Sequence, residues 1–407
     1  MVGFSAQAIR NFLTRERAIG YLTVFAITEL ALFAFSVACE HGLVIRLERD
    51  SSTDFVSFYA AGALADAGTP WLTYDHAAHH AAEQAAVGAA TIYNYFYYPP
   101  VFMLICAPLA VLPYLPSFIV FQVIGAAACY FAVRMIRRDL PVAVFLAFPG
   151  LWWAVGTGQN ALLTAALFAA GTAWVDRRPW LAGMCFGALC YKPHFGLLIP
   201  VALIAGGHWR AFLSAAGAAA SLIAASLVIF GSRTWDGFLG AAASSGDVYA
   251  AHAIFMAGLT SPFGVLMTLG AGREAAIVVQ AGVTLMAACV VALIWRSRAA
   301  LPVRASILLA ATPVAVPVLM FYDLMLVFVA LVWLSLVKPE RDGAPWRTLA
   351  MAVVFMGPLL SGNLATGVPL MAAPMTAAMA FGLTLAVAWP GLKVRRFEPA
   401  HAVTGGA

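Results

Sequence analysis

Long apolar runs alternate with short basic clusters along the whole chain, and that alternation leaves few folds open. The clusters are Arg10 to Arg17, Arg134 to Arg138, Arg177-Arg178, Arg210, Arg296 to Arg304, Lys338 to Arg347 and Lys393 to Arg396. A hydrocarbon core about 30 Å thick takes roughly 20 apolar residues of helix, and it excludes open sheets because unpaired backbone groups are too costly there. Ala/Leu/Val runs, rather than ten-residue alternations, select helices over a barrel. Composition agrees: of 407 residues, 63% are hydrophobic and 10% charged, far too apolar for a water-soluble fold. The net charge of +5 gathers in the clusters, where it orients helices and gives no argument for nucleic acid.

Placing every basic cluster on the cytoplasmic side puts the turns at 40–97, Gly156 to Asn160, Tyr191 to His194, Gly231 to Ser261, Phe321 to Asp323 and Ser361 to Gly367 outside. About 12 crossings with both termini inside satisfy this parity, in an inner (plasma) membrane. Segments 98–112 and 258–272 are apolar but short and bracketed by Pro or Gly. Counting either as a crossing would misplace Arg137-Arg138 or Arg296-Arg298, so both are expected to be re-entrant or juxtamembrane. Arg10, Arg15 and Arg17 before the run Ile19 to Cys39 resemble a signal sequence, but the run is long enough to span and is read as a helix. The six cysteines, Cys39, Cys106, Cys129, Cys185, Cys190 and Cys289, lack metal-site spacing and read as small core residues. One membrane domain over 1–407 is expected.

The polar loop 40–97 contains two stretches, Asp54 to Ala67 and Asp75 to Val87, joined by Gly68-Thr69-Pro70-Trp71. Each opens on an Asp suited to N-capping. Both are expected to lie in the membrane interface, with Trp71, Tyr74 and Tyr93 to Tyr98 at headgroup depth.

Several residues could carry chemistry, each with a plainer alternative. Asp54 could be a general base toward a hydroxyl, or a helix cap. Lys192, with His194 beside it, could hold an anionic phosphate, or Lys192 could be a snorkelling lysine. Gly156-Thr157-Gly158-Gln159-Asn160 offers amides to a sugar or phosphate, or forms a capped turn. Asp323 is either an N-cap or a site residue. His76, His79 and His80 have helical spacing that could chelate a metal, but no second ligand cluster accompanies them, so a solvated helix face is expected and no metal or other cofactor is assigned. In the topology above, the polar turns converge on one outer face.

In order along the chain, Asp54-Phe55 with Tyr59-Ala60-Ala61-Gly62, Gly68 to Tyr74-Asp75, Tyr98-Pro99-Pro100, Gly158-Gln159-Asn160 and Lys192-Pro193 resemble glycosyltransferase family 87, across roughly residues 20–340. The resemblance implies an all-α polytopic GT-C fold. It implies an inverting transfer of a hexose, mannose above all, from a polyprenyl-phosphate sugar to a lipid or glycan acceptor at the extracytoplasmic face. It makes Asp54 the general base. Lys192, Gln159 and His194 are assigned to the donor phosphate on chemical grounds, and Asn160, Tyr59, Tyr98 and Asp323 to donor or acceptor binding. One departure stands out: mannosyltransferases of this kind have a histidine at a late outer helix start, where this chain has Phe321-Tyr322-Asp323. The competing reading is a transporter or flippase of a lipid-linked sugar, which would call for an inverted repeat and ionisable groups within spans. No repeat is visible, and Glu29 is the clearest mid-span charge.

Overall fold

The computed structural model describes residues 15–39, 53–250, 256–338, 345–361 and 371–393. The described residues are helical apart from turns and one isolated antiparallel bridge, Leu259 to Met320. In chain order the α-helices are α1 (Arg15–Cys39), α2 (Phe55–Asp66), α3 (His76–Val87), α4 (Pro100–Ala110), α5 (Tyr114–Ile136), α6 (Val142–Leu146), α7 (Pro149–Thr157), α8 (Ala161–Trp174), α9 (Pro179–Ala188), α10 (Ile199–Ala205), α11 (Trp209–Phe230), α12 (Ser232–Ala250), α13 (Pro262–Thr268), α14 (Arg273–Arg296), α15 (Leu301–Ala315), α16 (Met325–Leu334), α17 (Pro345–Met356) and α18 (Ala372–Lys393).

Among the described residues, five helical segments are long and apolar enough to cross a membrane: Glu16–Phe35, Tyr114–Ile136, Trp209–Phe230, Arg273–Arg296 and Ala372–Trp389. The other apolar helices are shorter. Prolines open many of them, as at Pro100, Pro149, Pro179 and Pro262, where a missing N–H costs nothing. Segments 98–112 and 258–272 contain α4, with 11 residues, and α13, with 7. At about 1.5 Å per residue neither reaches across a bilayer.

Outer and inner helices differ in how they treat apolar side chains. α1, α11 and α14 expose Val24, Phe35, Val228, Ile229, Val278 and Leu285, a surface that water would not tolerate and lipid would. α16 is buried at all ten positions and packs on α15, which is buried from Ala305 to Ala315, so these two form the centre. α9 and α11 approach one another closely. A Cβ at Gly183 or Gly187 would meet the carbonyl oxygens of Ala211 and Ala215 at 2.4 and 2.3 Å. That spacing of small residues lets two apolar helices pack backbone to backbone where lipid offers no hydrophobic drive.

The first helix of the polar loop departs from expectation. α2 is not a helix lying on the surface: Phe55, Val56, Ser57, Phe58, Ala60, Ala61 and Gly62 are buried, and the helix packs on α4 and α3. Its sequence, FVSFYAAGALAD, carries apolar residues all round rather than on one stripe, which suits an enclosed helix.

Candidate functional site

Five ends of secondary-structure elements meet around one polar cluster. Asp54 precedes α2. Tyr98 precedes α4. Gln159 and Asn160 join α7 to α8. Lys192 lies between two 3-10 turns, Leu189–Tyr191 and Pro193–Leu197. Asp323 sits in the 3-10 turn Phe321–Leu324 that leads into α16.

Asp54 does not cap α2. Its backbone is already helical, with φ −57° and ψ −18°, and its side chain bonds no N–H of the first turn. The Gln159 Nε2 donates to Asp54 Oδ2 at 2.7 Å, while the Asp54 N–H donates to the Thr157 carbonyl at 2.9 Å. The Tyr98 hydroxyl completes the chain by donating to Gln159 Oε1 at 3.2 Å. Asp54 is half-buried. Burial raises its carboxyl above the ordinary range, opposed by the Gln159 hydrogen bond and the Lys192 charge.

This arrangement depends on Gly158. With φ at +72° it ends α7 in the left-handed region, and a Cβ there would lie 2.7 Å from the Phe55 Cβ. The close turn brings Thr157 and Gln159 against the start of α2. The residue after it, Asn160, is 1% exposed; among the described residues neither side-chain amide atom makes a hydrogen bond of good geometry, although the amide lies against the Tyr98 hydroxyl. It is not used as a cap for α8 either. A buried carboxamide short of good hydrogen bonds costs roughly 1–3 kcal/mol, a cost a bound hydroxyl or phosphate would remove.

Lys192 does not snorkel. Its Nζ lies 3.1 Å from Asp323 Oδ1, and both residues are almost fully buried. The ammonium also sits 5.9 Å from the Tyr98 ring centre, 4.9 Å from that of Phe195 and 5.8 Å from that of Tyr322. Asp323 therefore serves as the lysine's partner and not as a helix cap. A charge pair held in a low dielectric among aromatic rings is a place where a third charge, such as a phosphate, interacts strongly.

The structure thus brings together Asp54, Gln159, Tyr98, Lys192 and Asp323, with Asn160 buried beside them. His194 is exposed, its ring against Phe195 at 4.9 Å. Tyr59 directs its hydroxyl to the Leu112 carbonyl at 2.9 Å, away from the cluster.

The histidine run reads differently once folded. His76 is exposed, and His80 Nε2 donates to the Thr91 carbonyl at 2.8 Å. His79, expected on a solvated face, is fully buried, as is Glu83 one turn on. His79 Nε2 donates to the Ser57 carbonyl at 3.1 Å, which leaves Nδ1 without a hydrogen bond among the described residues and 3.8 Å from Glu83 Oε1. Glu83 accepts the Asn94 N–H at 3.1 and 3.3 Å. Burial pushes Glu83 up to about 8, against the Asn94 hydrogen bond and helped by the Asp54 charge. Burial takes His79 down to about 4, against its bond to Ser57. The pair ties the first turn of α2 to the segment that delivers Tyr98. Its i,i+4 spacing was the available signal. Among the described residues no group of three or more His, Cys, Asp and Glu could hold a metal ion.

Fold and site together define a class: a helical membrane protein whose interior gathers a carboxylate, amides and a paired lysine at helix ends. The chain matches glycosyltransferase family 87 over residues 96–321, more than half of its length, and it belongs to that family; it is a membrane glycosyltransferase. The matched segment contains Tyr98, Gln159, Asn160, Lys192 and His194, begins after Asp54 and ends just before Asp323. No curated protein and no solved structure matched the chain.

Proposed function

We propose that the enzyme transfers a hexose, mannose in the first instance, from a polyprenyl-phosphate sugar to a lipid or glycan acceptor, with inversion at the anomeric carbon. The fold in this reading is GT-C, with about 12 crossings completed by the shorter helices, both termini cytoplasmic and the site at the extracytoplasmic face of the plasma membrane. The observation that carries the reading is the Asp54 carboxylate, which among the described residues is spent neither on capping its helix nor on an ion pair. It is oriented instead by Gln159.

The reaction is a single displacement. The acceptor oxygen bonds to C1 of the sugar while its proton passes to Asp54. The C1–O bond to phosphate breaks, and the bonding pair leaves with the phosphate. A carboxyl whose burial raises its pKa is a better proton acceptor than a solvated one, provided it is ionised at the working pH. Lys192, already balanced by Asp323, supplies positive charge toward the departing phosphate. The Asn160 amide is available to a sugar hydroxyl or a phosphate oxygen. With a lipid-linked donor no nucleotide-binding fold is required.

The test is transfer by the purified protein in lipid, from radiolabelled polyprenyl-phosphate mannose to a membrane lipid extract. Labelled product from wild type, lost in Asp54→Asn with folding intact, supports the proposal. Absence of transfer from any polyprenyl-phosphate sugar by folded wild type would overturn the donor assignment.

A further inference from the structure

A second concave site lies far from Asp54. The cavity, of about 750 Å³, is formed where α11 begins, where α14 ends and where α15 begins. The opposite end of α11, at Phe230-Gly231, lines a groove with Asp66 and Trp71 beside the polar loop. The 22 residues of α11 span about 33 Å, so the cavity and the loop are separated by roughly a membrane thickness.

Its wall is built. The Arg304 guanidinium donates from Nη2 to Asp176 Oδ2 at 2.7 Å and from Nε to the Ala299 carbonyl at 3.1 Å, and its Nη1 lies 3.0 Å from His208 Nε2. It also stacks over Trp295, whose indole N–H donates to the Arg304 carbonyl at 2.8 Å. Asp176 is the only carboxylate among the described residues that line the cavity, and Arg304 at 2.7 Å and His208 at 3.7 Å already lie against it. Three more arginines, Arg210, Arg296 and Arg298, line the same space, are exposed, and form no ion pair among the described residues. The positive-inside tendency places basic residues near helix ends, but it does not require them to converge on one hollow. Converging like charges repel, and a concave wall focuses their field on any anion that enters.

We propose that this cavity binds the phosphate of an anionic lipid headgroup, at a site separate from the one around Asp54. Guanidinium groups suit phosphate because their paired N–H donors match its oxygens. The argument for a lipid over a soluble phosphate lies in the rim. Leu213 lies three residues after Arg210 and Leu293 three before Arg296, so each shares a helix face with its arginine, and both are exposed. Trp209, also exposed at the rim, is a typical interfacial residue. The charged hollow therefore opens onto lipid-facing surface.

The experiment counts lipids retained on the purified full-length protein by native mass spectrometry, with phosphatidylglycerol against phosphatidylcholine. Wild type is expected to retain phosphatidylglycerol selectively. The triple variant Arg210→Gln, Arg296→Gln, Arg298→Gln should weaken that binding on the order of a hundredfold, at about 1 kcal/mol for each basic residue at a charged surface. A control triple, Arg17→Gln, Arg138→Gln, Lys338→Gln, removes equal charge from residues that neither line the cavity nor adjoin its lining in sequence and should weaken retention far less. Unselective retention by wild type, or equal loss in both triples, would overturn the proposal. Displacement of the lipid by millimolar inorganic phosphate would overturn the lipid assignment and make the site one for a soluble anion. Unaltered thermal unfolding of both triples separates a binding loss from misfolding.

Discussion

Asp54 and Asp75 occupy the same place in sequence, one residue before a twelve-residue helix in the same polar loop, yet they do opposite things. Asp75 has extended backbone, φ −90° and ψ 116°, and its carboxylate accepts the Ala78 N–H at 2.9 Å, as an N-cap should. Asp54 is already in the helical region, so its side chain is turned from the free N–H groups and reaches Gln159 on the far side of a tight turn. One aspartate stabilises its own helix. The other is positioned by a residue 105 places away. A capping residue and a site residue can thus share a sequence context, and the backbone angle in front of the helix tells them apart.

The largest effect that could break this contrast is on rate. Asp54→Asn should lower transfer by about 10²–10⁴-fold, the range for losing a general base. Asp75→Asn, which keeps a capping oxygen, should leave the rate near wild type in the same assay. Comparable losses in the two variants would mean that Asp54 is no more than another structural aspartate.

Next comes the buried pair next to Asp54. Removing one charge strands the other, so Lys192→Met alone should lower stability by about 3–5 kcal/mol. The double variant Lys192→Met, Asp323→Leu should recover much of that in thermal unfolding and still fail to transfer sugar. A double variant that regained activity would show the pair to be only structural.

A smaller effect separates the helices by pH. Burial raises Glu83 in α3 from an ordinary 4.5 to about 8, so the folded state holds its proton more tightly than the unfolded chain does. That contribution to stability is full below pH 4.5 and is lost as pH rises through 8. His79 moves the other way, from 6.5 to about 4, so its contribution is full above 6.5 and is lost as pH falls through 4. Between 4.5 and 6.5 the two slopes oppose. The net decline should therefore fall between pH 6.5 and 8, and Glu83→Gln should flatten it. Thermal unfolding of the two proteins across that range checks the sign, and parallel curves would mean that Glu83 is ionised in the fold.

Much of the layout is legible in the chain. Periodicity and Asp/Pro/Gly punctuation set the bounds of α2 and α3 within a residue or two, and the short helices at 98–112 and 258–272 follow from their prolines. The alternation of basic clusters leads one to expect the turns of Asp54, Gln159, Lys192 and Asp323 on one face, and in the fold Asp54 meets Gln159 and Lys192 meets Asp323. The pairing of Lys192 with Asp323 was not readable, since 131 residues separate them and only tertiary packing brings them together. Nor was the burial of His79 and Glu83. On a helix as polar as HAAHHAAEQAAV, an inward-facing acid is visible only once the Asn94 N–H and Ser57 carbonyl that satisfy the pair are in place. The surface setting expected for α2 failed because capping potential at its start said nothing about what covers its sides.

The smallest effect sharpens the contrast from the stability side. Asp75→Ala removes one hydrogen bond to an exposed N–H at the start of α3 and should cost about 0.5–2 kcal/mol, as loss of an N-cap does. Asp54→Asn takes no cap from α2, and the new amide can still accept from Gln159 Nε2 through its oxygen, so its unfolding temperature should stay closer to wild type than that of Asp75→Ala. The order of the two variants in thermal unfolding should then be the reverse of their order in transfer rate. If Asp54→Asn were the less stable of the two, the αR backbone at Asp54 would not have freed the carboxylate from a structural role, and any rate loss in that variant would have to be read as damage to α2.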